Sequence, residues 1–185
     1  QFEHGRHGRG ALQVHVQRRF GRARDEGAAA ICAEAVGCMR KVLADTVEYC
    51  KQRQQFGQPI GSFQVLQHRM VDMYMEVEKS SAAVVLAILR LEDDDTTRAR
   101  AVSAAKATVG RAAQFVGQQA VQLHGGMGMT EELAIGHYFK RLTALQFAIT
   151  FVNLAMPSTA ARAAVNIRFF QRSGVPADSA VSLGV

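Results

Sequence analysis

From Phe63 to Leu91 apolar side chains return every three or four residues: Phe63, Leu66, Met70, Met73, Val77, Val84, Ala87 and Leu91, with Ser80 as the small member. That period is helical; a strand changes face every second residue. A stripe this long predicts a helix packed lengthwise against others, with the methionines filling its core seam. Val102, Ala105, Val109, Ala112, Val116 and Leu123 repeat the pattern in a second stretch, which ends at His124-Gly125-Gly126. Upstream, Ile31, Ala35, Cys38, Val42 and Tyr49 predict a helix from near Asp25-Glu26, carboxylates favoured at a helix N-terminus, to about Arg53. Gly57, Pro59 and Gly61 then stop it. Further on, a short helix over about 133–142 leads into an apolar stretch over 145–156, and Pro157 opens a last helix over 158–172. Strand signals are too sparse for a sheet. The expectation is an all-α, up-down four-helix bundle over 25–172, preceded by a basic stretch (1–24) read as a frayed arm or the remnant of a preceding domain, and followed by a tail (173–185).

Charge narrows the partners. Residues 1–24 hold six arginines (Arg6, Arg9, Arg18, Arg19, Arg22, Arg24) against Glu3 alone, so +5 of the net +6 belongs to that stretch. A nucleic-acid face would run along the folded elements with aromatic stacking groups, so no nucleic-acid partner is expected. No apolar run approaches the ~18 residues of a membrane span. His4, His7 and His15 lack acidic or cysteine neighbours, and no metal site is expected. Glu92-Asp93-Asp94-Asp95 reads as a solvated turn, without the glycine and closing glutamate of a calcium loop. Cys32, Cys38 and Cys50 have no CxxC spacing; they read as small buried hydrophobes in a reducing, cytoplasmic interior.

Two strings carry chemistry. Residues 53–64 read Arg-Gln-Gln-Phe-Gly-Gln-Pro-Ile-Gly-Ser-Phe-Gln. Arg53 offers a planar donor fork suited to phosphate, Phe56 a face for a flat ring, and Gln64 both a donor and an acceptor. The next helix begins there, with unpaired N–H groups and a positive dipole end. Residues 122–131 read Gln-Leu-His-Gly-Gly-Met-Gly-Met-Thr-Glu, whose glycines expose backbone N–H groups to a ligand. This string follows a helix, so it is no Rossmann fingerprint.

With Tyr49 before the first string and Gln67, His68 and the Met70–Met73 run after it, the pair resembles the two signatures of the acyl-CoA dehydrogenase flavoenzymes, in their C-terminal helical domain. The resemblance covers about 25–172. It implies an FAD-dependent alpha,beta-dehydrogenation of an acyl-CoA thioester. Arg53, Phe56, Phe63 and Gln64 would contact the pyrophosphate and adenine side of FAD held mainly by a neighbouring subunit. Gln122 and the backbone of Leu123, His124, Gly125 and Gly126 would contact the same cofactor. It further implies an electron-transfer acceptor and a homodimer or tetramer, with a hetero-oligomer as the alternative. The string Gly136-His-Tyr-Phe-Lys-Arg-Leu142 resembles bacterial members acting on dicarboxylic or sterol-derived acyl-CoA.

The departures concern the catalytic base. The glutamate that most members place in a Glu-Gly-Thr string falls here at Ile149, within Phe147-Ala-Ile-Thr150. Members with the base on the first helix place it where this chain has Gly27, and the nearby family arginine is replaced by Ala28. Glu26 and Glu34 are the candidate substitutes; read structurally, Glu26 serves the helix start and Glu34 is a helix-face charge. Complete members also carry an N-terminal helical domain and a β domain, so this chain alone is expected to be inactive. The rivals are a non-catalytic subunit completing a partner's site, and an unrelated helical interaction module.

Overall fold

The computed structural model describes residues 4–130 and 132–154, and side chains from Val16 to Ile149 apart from Glu131. Four helices dominate: α1 (His4–Gln52), α2 (Gln64–Leu89), α3 (Asp95–His124) and α4 (Ala134–Leu154). Residues 1–150 form one compact unit; of a second, 151–185, only the last residues of α4 are described. Cross-helix pairs give the directions. Asp25 meets Arg98 and Tyr49 meets His124, so α1 and α3 run parallel. Arg40 meets Ser81 and Arg69 meets Gln119, while Gln114 meets Gln146 and Gly117 faces Phe139, so α2 and α4 run opposite to them. The architecture is the expected up-down bundle.

Every apolar position read from the α3 stripe is buried, as are Met73, Val77, Ser80, Val84 and Ala87 of α2. Buried hydroxyls within the seams bond back one turn: Ser80 Oγ donates to the Glu76 carbonyl and Thr46 Oγ1 to that of Val42, both at 2.7 Å. At α3 the start is capped by Asp94, whose carboxylate accepts from the N–H groups of Thr96 and Thr97 at 3.0 and 3.2 Å. The end is set by Gly125 at φ 59°, ψ −143°, a region essentially restricted to glycine.

The structure departs from the sequence reading in four places. First, α1 does not start near Asp25-Glu26; His4–Arg24, read as a frayed arm or the remnant of a preceding domain, belong to it. Asp25 faces inward to Arg98 instead of capping, and Arg18 and Arg22 reach the acidic α2–α3 turn at Asp95 and Glu92. The basic stretch and the acidic turn, the latter read as solvated, are therefore partners. Second, the α1 seam is Cys32, Ala35, Met39, Val42, Thr46 and Cys50, with Ile31, Cys38 and Tyr49 only partly buried. Third, α4 is one helix to Leu154 rather than a short helix and an apolar stretch; the helix over 158–172 and the tail 173–185 lie outside the described residues. Fourth, a two-residue antiparallel ribbon, β1 (Gln54–Gln55) with β2 (Gln58–Pro59), closes the α1–α2 corner. Phe56 at φ 55° and Gly57 at φ 79° make its turn, the positive pair that a two-residue hairpin demands.

Candidate functional site

The ribbon turn projects the first string outward. Phe56 is 92% exposed, and its ring meets Phe63 edge-on at 6.1 Å between centroids. Arg53 stands exposed at the end of α1; its backbone N–H donates to the Tyr49 carbonyl and its carbonyl accepts from Ile60, both at 2.8 Å. Its guanidinium has no acidic partner among the described residues. After the ribbon a 3-10 turn (Ile60–Ser62) leads into α2, whose N-cap Phe63 supplies no side-chain cap. The first amide to close a helical bond is that of Leu66, to the Phe63 carbonyl at 3.0 Å, so the Gln64 and Val65 N–H groups are unclaimed among the described residues. An uncapped helix start and a guanidinium without an acidic partner are donor types that suit an anion.

The second string forms the end of α3 and a 3-10 turn (Gly125–Met129). Gln122, Gly125 and Gly126 are exposed, whereas Leu123 and His124 are buried. Gly128 is required by close approach, since a Cβ there would lie 2.8 Å from the Val121 carbonyl oxygen. His124 Nδ1 is 2.8 Å from the Ala120 carbonyl oxygen. A carbonyl only accepts, so Nδ1 carries the proton. Its Nε2 then has no partner among the described residues, although the side chain is buried.

Tyr49 connects the two strings. Its ring stacks on that of His124 with centroids 4.2 Å apart and planes 26° from parallel, and its hydroxyl donates to the His124 carbonyl at 3.4 Å. Sequence reading assigned Tyr49 to the first signature without foreseeing this contact, which ties together residues 75 apart.

The candidate bases fare differently. Glu26 lies within α1, exposed, with Oε1 accepting from Arg22 Nε at 2.8 Å, so it serves no helix start. Glu34 Oε1 is taken by two donors of Arg141 on α4, Nε at 2.8 Å and Nη2. Ile149 is 4% exposed within unbroken α4. Among the described residues no three His, Cys, Asp or Glu gather to hold a metal, and no helix is long and apolar enough to cross a membrane.

Residues 17–148 match the family described as acyl-CoA dehydrogenase, C-terminal domain. The acyl-CoA dehydrogenase IpdE2 of Mycolicibacterium smegmatis is 40% identical over 117 residues, 63% of this chain and 36% of that protein. The short-chain-specific acyl-CoA dehydrogenase of Megasphaera elsdenii is 34% identical over 116 residues, 63% of this chain and 30% of that protein. The chain thus spans about a third of the length of these relatives. Among solved structures, the ChsE4–ChsE5 complex of Mycobacterium tuberculosis superposes with a TM-score of 0.66 at 25% identity, over 73% of this chain and 39% of that one. Butyryl-CoA dehydrogenase of Megasphaera elsdenii gives 0.62 at 29%, over 75% and 38%.

Proposed function

The chain belongs to the acyl-CoA dehydrogenase family, matching its C-terminal domain, and on that premise we propose that it supplies flavin and oligomer contacts to an FAD-dependent alpha,beta-dehydrogenation of an acyl-CoA thioester. One observation carries the reading: the Arg53 guanidinium, the free Gln64 and Val65 N–H groups and the open glycine turn occupy linked ends of α1, α2 and α3. That donor set fits a diphosphate flanked by aromatic rings. Arg53 and the start of α2 bind the pyrophosphate; Phe56 and Phe63 offer edges and faces to a flat ring; Gln64 and Gln122 bond its polar rim. When bound, FAD supplies the hydride acceptor for the substrate's beta carbon. The residues on this chain bind and orient; they do not abstract the alpha proton.

A second reading within the family follows from the missing base. Ile149 is buried where the family glutamate would stand, and Glu26 and Glu34 are each engaged by an arginine. This favours a non-catalytic subunit that completes a partner's site, with the alpha-proton base and the thioester pocket on another polypeptide. The experiment is to purify the tagged chain from its own source, with whatever assembles on it. Its flavin absorbance and its acyl-CoA oxidation with an artificial electron acceptor are then recorded. Flavin at one per one or two chains, with oxidation unaffected by Glu26→Gln and Glu34→Gln, is expected. A preparation that neither carries nor takes up FAD overturns the reading.

A further inference from the structure

We propose that Tyr49 is a positioning residue, a strut that sets the spacing between the two flavin-facing strings by seating its ring on His124. This rests on the flavin reading and adds to it a residue outside the expected contact set.

A chain of short contacts joins the two strings. On one side the turn from Ile60 to Ser62 is pressed on the end of α1, since a Cβ on Gly61 would lie 3.0 Å from the Cys50 carbonyl oxygen. On the other, the turn from Gly125 to Met129 is folded on the last turn of α3, since a Cβ on Gly128 would lie 2.8 Å from the Val121 carbonyl oxygen and 3.1 Å from His124 Cβ. Each string is thereby fixed to its own helix end, and the two helix ends meet through Tyr49 and His124. The imidazole is itself held, by Nδ1 on the Ala120 carbonyl at 2.8 Å. A displaced Tyr49 ring frees one string from the other without unmaking either.

The stack, rather than the hydroxyl, does the work: 4.2 Å is close for stacked rings, while 3.4 Å is the long limit of a hydrogen bond. Replacement by phenylalanine should therefore rescue what leucine loses. An aromatic pair of this kind corresponds to about a tenfold change in affinity if all of it is expressed in ligand binding.

The test uses the tagged chain with its natural assembly, stripped of flavin and titrated with FAD by fluorescence quenching. Tyr49→Leu should weaken FAD binding about tenfold, and Tyr49→Phe should bind within about twofold of wild type. Spin labels at Gln58 and Met127, with the native cysteines replaced by alanine, provide a readout that needs no flavin. Their distance distribution should broaden in Tyr49→Leu and narrow again in Tyr49→Phe. Unchanged FAD affinity and an unchanged distance distribution in folded Tyr49→Leu would overturn the strut. Failure of the wild type to bind FAD would instead sink the proposed function, and this role with it.

Discussion

Arg98 of α3 reaches back to Asp25 of α1, Nε to Oδ2 at 3.2 Å, with both side chains about 95% buried. Around that pair the charges alternate: Arg24 joins Asp25 at 3.0 Å, and Arg98 also holds Asp95 at 2.7 Å and the Asp93 carbonyl at 3.3 Å. The pair anchors the N-terminal half of α1 to the start of α3. Removing one member of a fully buried pair costs about 3–5 kcal/mol, but Arg98 keeps Asp95 and Asp93, so Asp25→Asn should cost about 2 kcal/mol in urea unfolding. Arg98→Leu combined with Asp25→Leu should recover part of the loss; a double variant as unstable as the sum of its singles would contradict the account.

A buried amine and a buried thiol shape the alkaline limb of stability. Burial pushes the Lys106 ammonium down to about 8, with Cys32 opposing, Arg24 adding and Asp25 opposing. Burial likewise pushes the Cys32 thiol up to about 11, with Lys106 opposing. From about pH 8 to 10.4 the unfolded chain holds the extra proton at lysine, so stability rises with pH. From about pH 8.5 to 11 the folded chain holds the extra proton at cysteine, so stability falls. Burial also raises the Cys38 and Cys50 thiols, which adds to the fall. Wild type should therefore gain stability only between about pH 8 and 8.5 and decline above. Relative to wild type, Cys32→Ala should gain stability from about pH 8.5 to 11, and Lys106→Met should show only the fall. Melting temperatures across this range decide it.

Phe56 pairs strain with exposure, which separates fold from function. Its left-handed backbone costs about 1–2 kcal/mol, and its ring, 92% exposed, gives almost nothing to the core in return. Phe56→Gly trades that strain for the backbone entropy of glycine, so stability should stay within about 1 kcal/mol of wild type. FAD affinity should nonetheless drop several-fold. A variant that unfolds, or one that binds FAD as tightly as wild type, would contradict this role.

Packing between α3 and α4 converges on Gly117. A Cβ there would meet Phe139 Cδ2 at 3.1 Å and Leu142 Cδ1 at 3.6 Å. Gly117→Val should cost about 1–3 kcal/mol by forcing α4 outward. Phe139→Ala in the same chain should make that substitution less costly, as paired calorimetric measurements would show.

The helical seams were legible because burial in a bundle follows one period, and the stripes read for α2 and α3 coincide with the packed faces. The α1 reading held at its end and at Ala35 and Val42 but missed the start and the rest of the seam, for reasons a single helix cannot reveal. Asp25 resembles a cap until Arg98, 73 residues away, is brought beside it. The α1 seam contains Thr46, which carries less apolar signal than its half-buried neighbours Ile31 and Tyr49. The ribbon at Gln54–Pro59 is too short for a strand pattern; only the backbone of Phe56 and Gly57 reveals it. Both site strings were visible as donors and glycines, but their juxtaposition through Tyr49 and His124 is tertiary information.

The central claim is that the two strings bind one flavin together, and hydrogen exchange reads both at once. With FAD added to the stripped, tagged assembly, amides in residues 53–67 and 122–130 should slow in parallel, with the Gln64 and Val65 amides among them. Exchange that does not respond to FAD in either stretch, or protection confined to one of them, would contradict the account.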